Sequence, residues 1–89
     1  MAAQFELAIL TPERSVFEGR VEYVEAPGLA GSFGVLAHHA ALVTPLGAGV
    51  LLVRKAGGDE VLWQVSGGFF EVGGDRATVL ADEVSAGPA

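Results

Sequence analysis

The feature that most limits the fold of this chain is a long stretch without a charged residue, from Ala26 to Val53. A membrane-spanning helix would need about 18 or more consecutive apolar residues. Seven glycines and prolines interrupt the stretch, so it cannot form a continuous apolar helix. It instead predicts buried strands and turns with an apolar outer surface, and in a small domain such a surface marks a binding partner.

Alternating apolar residues predict β-strands on both sides of this stretch, because successive side chains of a strand point to opposite faces. The residues that share one parity are Phe5, Leu7 and Ile9, then Phe17, Val21 and Tyr23, and then Val61, Trp63 and Val65. The run Val50–Val53 is apolar throughout, which predicts a strand that is covered on both faces.

Turn signals separate these strands. Gly57-Gly58-Asp59 and Gly73-Gly74-Asp75 predict tight hairpin loops, and Thr11-Pro12-Glu13 predicts another turn. About eight short strands with this spacing predict a sandwich or a barrel. No segment shows a clean helical period, and we expect Asp82 to Ala89 to form a polar, frayed tail.

Composition excludes several functions. The 89 residues fit one domain, and the net charge of −6 with five scattered basic residues opposes binding to nucleic acid or to an anionic membrane surface. The chain has no cysteine, so disulfides and thiolate chemistry are absent. The first residues do not have the basic and apolar regions of a secretory signal.

Three motifs that could carry chemistry are weak. The spacing of Gly28, Gly31 and Gly34 does not match a phosphate-binding loop, and no Gly-Lys-Ser/Thr follows. His38-His39 does not predict a metal site, because neighbouring residues on a strand face opposite ways; we expect one surface and one partly buried histidine. Ser66-Gly67-Gly68 lacks the pattern of a nucleophile elbow, and its glycines indicate a bulge or a close backbone approach. The chain therefore resembles a binding module more than an enzyme.

Four motifs in order resemble the epsilon subunit of F-type ATP synthases over nearly the whole chain. They are the central segment Gly28–Thr44 with His38-His39-Ala40-Ala41-Leu42, the strand entry Leu46-Gly47-Ala48-Gly49, the segment Val65-Ser66-Gly67-Gly68-Phe69-Phe70-Glu71-Val72, and Val79-Leu80-Ala81-Asp82. Ala37 and Ala41 replace two prolines that are common in the family, and the loop Leu29–Ser32 has no acidic residue. The chain also stops at Ala89, where typical relatives continue into a helical hairpin.

The resemblance implies an all-β fold, a small antiparallel β-sandwich over residues 1–84, with a short polar tail over 85–89 and no C-terminal helical hairpin. It implies a non-catalytic rotor subunit of the central stalk, which binds the gamma subunit and the polar loops of the membrane c-ring. Residues carried over are His39, Thr44 and Ser66 for gamma, and Ala30, Gly31 and Ser32 for the c-ring.

The same resemblance implies no cofactor, no metal, no direct lipid insertion, and no nucleotide binding without the helical hairpin. The expected location is the cytoplasmic face of the bacterial inner membrane, as a peripheral part of the complex. Two other functions stay open on the residues alone. One is a freestanding β-sandwich that binds a protein or a ligand, and the other is a small hydrolase that uses unrecognised carboxylates.

Overall fold

The computed structural model describes residues 3–88 and consists of seven β-strands joined by short turns. No helix occurs within this part of the chain. The strands are β1 (Phe5–Leu10), β2 (Ser15–Gly28), β3 (Gly31–Leu36), β4 (Leu42–Lys55), β5 (Glu60–Gly73), β6 (Arg76–Ala81) and β7 (Val84–Ala86).

Three long strands, β2, β4 and β5, run through both layers of the fold. The first layer pairs β1, β6, the end of β5 and the start of β4, in that order. The second layer pairs β3, the end of β2, the rest of β4, the start of β5 and β7. The start of β2 pairs with β1, so β2 also belongs to both layers and joins them. The expected all-β sandwich is confirmed, and its only parallel pair within residues 3–88 joins β1 to β6.

The core consists of aligned residues from neighbouring strands. Ile9, Val79 and Phe70 lie opposite one another on β1, β6 and β5, and each is fully buried. Val35, Val24 and Val53 form the matching row on β3, β2 and β4. The rings of Phe70 and Phe33 also pack at 88° to each other, with their centroids 5.2 Å apart, so Phe70 joins the two layers. Such burial contributes most of the free energy of folding in a domain of this size.

The number and faces of the strands differ from the prediction in two places. Seven strands form where about eight were expected, because the runs on either side of a bend continue as single long strands. The expectation that Val50–Val53 is covered on both faces is wrong. Leu51 and Val53 are fully buried, but Val50 is 39% exposed and Leu52 only half-buried. The run is apolar throughout because its outward residues, Val50 and Leu52, are apolar as well.

Two further expectations are corrected. Tyr23 does not share the inward face of Val21, because the pairing of β2 with β4 shifts between these two residues and a bulge reverses the alternation. The tail expected to fray after Asp82 instead forms β7, which pairs with Trp63–Val65 of β5. β7 thereby crosses the domain boundary that was predicted at residue 84.

The predicted turns agree with the structure. The two glycine-rich hairpins join β4 to β5 and β5 to β6, and Thr11 closes its turn through hydrogen bonds with Arg14. Gly68 has a φ of 123°, and a side chain there would meet the backbone of Leu80 and Ala81. Glycine is thus required at this bulge, as the sequence motif indicated.

Candidate interaction surface

A tight hairpin at one end of the sandwich contains all three residues that are predicted to contact the c-ring. Leu29 and Ala30 form the two-residue turn between β2 and β3, and the Leu29 side chain is 71% exposed. Gly31 and Ser32 begin β3 and are both exposed. Gly31 has a φ of 127°, a conformation that favours glycine. The hairpin therefore presents a small, uncharged tip to solvent.

An apolar groove lies beside this hairpin, where the two layers of the sandwich are not joined. On one side is β3, and on the other is the start of β4, which among the described residues pairs with β5 alone until Leu46 meets β2. The groove has a volume of about 400 Å³. Its lining residues are Gly28, Leu29, Ala30, Gly31, Phe33, Gly34, His39, Leu42, Thr44 and Pro45.

Four of the six predicted site residues line this one groove. They are Ala30 and Gly31, predicted for the c-ring, and His39 and Thr44, predicted for gamma. Thr44 lies opposite Phe70 and continues the core row of Ile9, Val79 and Phe70 to the open edge of β4. The two predicted contact regions are therefore neighbours on the same surface.

The other two predicted residues lie outside the groove lining. Ser32 is exposed on β3, directly after the lining residue Gly31. Ser66 lines a different groove, of about 470 Å³, together with Glu13, Arg14 and Glu83. Its backbone N–H donates to the carbonyl of Glu83, and the residue lies opposite Ala48. Ser66 therefore lines a different groove from His39 and Thr44, the other two residues predicted for gamma.

The histidine pair lies in the connection between β3 and β4. It is not in a strand, and both residues are exposed, so the expected partly buried histidine is wrong. His38 has a φ of 66°, which is uncommon for a residue with a side chain. The His39 ring Nδ1 lies 2.7 Å from the carbonyl oxygen of Ala40. This contact holds the His39 ring beside its own loop at the rim of the groove.

An exposed apolar row continues from the groove across four strands. Pro45 lines the groove and lies opposite Phe69 on β5, which in turn lies opposite Leu80 on β6 and then Leu10 on β1. Phe69 is 53% exposed and Leu80 42% exposed. We call Pro45, Phe69, Leu80 and Leu10 the apolar row. Because large exposed side chains cluster here, this surface has the properties of a protein interface.

Sequence reasoning did not identify the apolar row. The signal was present in Phe69-Phe70, since adjacent residues on a strand face opposite ways and only one can enter the core. The same reasoning applies to Val79-Leu80 and to Ile9-Leu10. What sequence alone lacked was the register, which places the outward member of each pair in one line.

The second layer has a polar cluster on its outer face. The guanidinium of Arg54 lies 5.4 Å from the centre of the Tyr23 ring and pairs with Glu60 at 3.0 Å. The Tyr23 hydroxyl donates a hydrogen bond of 3.0 Å to Glu25. Partial burial raises the pKa of Tyr23, the bond to Glu25 and the charge of Glu25 raise it further, and Arg54 opposes them.

Residues 3–88 contain neither a candidate metal site nor a candidate membrane-spanning helix. No group of three or more histidine, aspartate or glutamate side chains in this range could hold a metal ion. The same residues contain no helix that is long and apolar enough to cross a membrane.

Comparison with known families gives one consistent match. The model of the family "ATP synthase, Delta/Epsilon chain, beta-sandwich domain" matches residues 4–87. The chain is 51% identical over 80 residues to the ATP synthase epsilon chain of Dehalococcoides mccartyi, covering 90% of this chain and 56% of that protein. It is 43% identical over 81 residues to the epsilon chain of Chlorobaculum tepidum, covering 91% of this chain and 92% of that protein.

A solved structure has the same fold. A chain of the Euglena gracilis mitochondrial ATP synthase, in a structure of its OSCP/F1/c-ring, superposes with a TM-score of 0.89 at 26% sequence identity. The superposition covers 97% of this chain and 55% of the Euglena chain. The chain thus spans little more than half the length of some relatives and nearly the whole length of others.

Proposed function

Because this chain belongs to the ATP synthase epsilon chain family, we propose that it is a rotor subunit that binds gamma and the c-ring. In this role it would transmit the rotation of the ring to gamma, and through gamma to the catalytic sites. The chain itself would make and break no bonds. Its place would be the cytoplasmic face of the membrane, held there by its protein partners.

The observation that carries this proposal is the continuous uncharged surface at one end of the sandwich. The hairpin tip, the groove and the apolar row adjoin one another through Leu29 and Pro45, which both line the groove. The cores of stable interfaces are poor in charged residues, whereas the chain as a whole has a net charge of −6. The charge distribution therefore favours one docking end.

Within this surface, the structure suggests how two partners could be accommodated. The exposed tip at Ala30, Gly31 and Ser32 is small enough to approach the short polar loops of a ring. His39 and Thr44 lie on the β4 side of the groove, which adjoins the apolar row. We assign the tip to the c-ring and the groove with the apolar row to gamma. Ser66 would belong to the gamma interface only if gamma also reaches the second groove.

The test is co-purification with the gamma subunit encoded in the same genome, measured by size-exclusion chromatography. We expect a stable one-to-one complex from the wild-type chain. Thr44→Asp places a charge at the groove and should weaken the complex. Ala86→Asp is the matched control, because Ala86 is exposed on β7 and lines neither groove.

Thr44 is half-buried and faces the core row, so the Asp variant must first be shown to fold by thermal unfolding. Equal capture of gamma by wild type and a folded Thr44→Asp would count against the assigned surface. Two separate peaks for the wild-type chain and gamma would instead favour a freestanding binding module.

A further inference from the structure

Within residues 3–88, the outer edge of β3 has no strand partner. β3 pairs with β2 from Tyr23 to Gly28, and it ends the strand order of the sheet. We propose that this edge accepts an extended, uncharged segment of the gamma subunit as an additional strand. The inference rests on the proposed function, and it specifies how the partner is held, through backbone hydrogen bonds as well as side-chain packing.

The register identifies the backbone groups that would hold the segment. Gly28 and Gly31 close a two-residue turn, so they form a hydrogen-bonded pair, and such pairs then alternate along the ladder. The next pair, Pro27 with Ser32, is not hydrogen-bonded, and Pro27 fits this position because it has no N–H to donate. The N–H and C=O groups of Ser32, Gly34 and Leu36 therefore point away from β2, toward the open side.

This edge lacks the features that normally prevent strand addition. Free edges are usually protected by charged side chains, proline or a bulge. β3 reads Gly-Ser-Phe-Gly-Val-Leu, with no charge and no proline, and its pairing with β2 continues without a register shift. Leu36 at its end is 62% exposed. An unprotected neutral edge of six residues is suited to a permanent partner strand.

The groove supplies the side-chain part of the site. An added strand would place alternate side chains over the groove, whose apolar lining includes Phe33 and Leu42. The Phe33 ring packs against the buried Phe70 ring in a T-shaped contact. This contact fixes the position of Phe33, so this part of the lining is preformed. No aspartate, glutamate, lysine or arginine occurs between Ala26 and Val53, so a charged segment would find no counter-ion of these types here. The occupant is therefore expected to be neutral and apolar at alternate positions.

The experiment follows amide hydrogen exchange in isotope-labelled chain, alone and in complex with gamma. In the isolated chain, Phe33 and Val35 should exchange slowly because they pair with β2, and Ser32, Gly34 and Leu36 should exchange quickly. In the complex, exchange at Ser32, Gly34 and Leu36 should slow by about tenfold or more, as a formed hydrogen bond of ordinary strength requires. Leu36→Lys, which places a charge of the kind that protects natural edges on β3 but outside the tip assigned to the c-ring, should weaken binding by about tenfold.

The control variant is Ala86→Lys, which places the same charge on β7, the other short edge strand. It should bind gamma as the wild type does. If gamma binds but the three amides still exchange quickly, strand addition is wrong while the proposed function stands. If gamma does not bind at all, the proposed function itself fails. Protection of the same amides in the concentrated chain without gamma would mean that a second copy occupies the edge, which also overturns the proposal.

Discussion

The two ends of one sheet face differ sharply in chemistry although they share the same strands. At one end, Arg20, Glu6 and Arg76 lie opposite one another on β2, β1 and β6. At the other end, four residues further along β1, the apolar row crosses the same sheet. Four residues of a strand span roughly 13 Å. A short distance thus separates a charged surface, which favours contact with water, from an apolar surface, which favours burial by a partner.

The charged end is held by contacts that add little stability. Arg20 lies 3.5 Å from Glu6 and 3.6 Å from Asp75, and it also donates to the carbonyl of Gln4. All three charged side chains are about half exposed, so solvent screens their attraction. The apolar row makes no such pairs. The apolar row should therefore contribute free energy when a partner covers it.

The largest effect is expected at Phe70, the core residue that joins the two layers. Phe70→Ala removes a fully buried ring that packs against Phe33 and lies in line with Ile9 and Val79. It should lower the free energy of unfolding by about 3–5 kcal/mol. Thermal or urea unfolding of the isolated chain measures this loss. A loss of less than about 1 kcal/mol would mean that Phe70 does not join the two layers.

Its neighbour should behave in the opposite way. Phe69→Ser changes an outward ring that is 53% exposed, so the unfolding free energy should change by about 1 kcal/mol or less. Binding to gamma should weaken by about tenfold or more, because a central aromatic of the apolar row is lost. Titration calorimetry with gamma checks the affinity. Leu62→Ser is the control, since Leu62 lies on the other layer of the same strand, away from both grooves.

Unchanged affinity for Phe69→Ser would remove the apolar row from the gamma interface. An equal loss for Leu62→Ser would mean that general destabilisation of β5, and not contact with gamma, explains the result.

The Phe69 and Phe70 pair also shows how far sequence reasoning reached. Alternation implies that only one of the two rings can enter the core, a signal that sequence reasoning did not use, whereas the glycine-rich turns located both hairpins. The all-β class and the family resemblance followed from such local signals. Long strands that bend from one layer to the other could not be predicted, because bending depends on bulges such as the one between Val21 and Tyr23.

The candidate site was predicted only in part for a similar reason. Ala30, Gly31, His39 and Thr44 line one groove, but sequence assigned them to two partners without indicating that they adjoin. Their proximity arises because β4 remains unpaired on one side before Leu46. Ser66, in a motif of the same resemblance, lies in another groove. The order of the motifs along the sequence indicates the family, whereas long-range strand pairing determines which residues of the motifs lie close together.

A smaller effect is expected at the charged end. Arg20→Ala removes two surface ion pairs and should cost about 1 kcal/mol or less of unfolding free energy. Because exposed pairs are screened by salt, the difference from wild type should shrink further in high salt. Urea unfolding at low and high salt measures both. Affinity for gamma should stay unchanged, and a clear loss of affinity would show that the charged end also contacts gamma.

The smallest effect concerns Tyr23, where the charged and apolar surfaces of the second layer meet. Tyr23 lies between Leu36 of the β3 edge and Arg54 of the polar cluster. It is the only tyrosine of the chain, so tyrosinate absorbance during an alkaline titration reports its pKa alone. We expect a pKa above the ordinary value of 10.0, mainly from burial and then from Glu25.

Glu25→Gln should lower the pKa of Tyr23, because it removes the negative charge beside the hydroxyl. Glu18→Gln is the control, since Glu18 bonds to Ser15 instead. A folded pKa above that of the unfolded chain makes the stabilisation by Tyr23 complete below pH 10.0, and it is lost as the pH rises through the folded pKa. If gamma covers the β3 edge, further burial should raise the pKa of Tyr23 in the complex. An unchanged titration curve on binding would place gamma away from this edge and leave the apolar row as the site of contact.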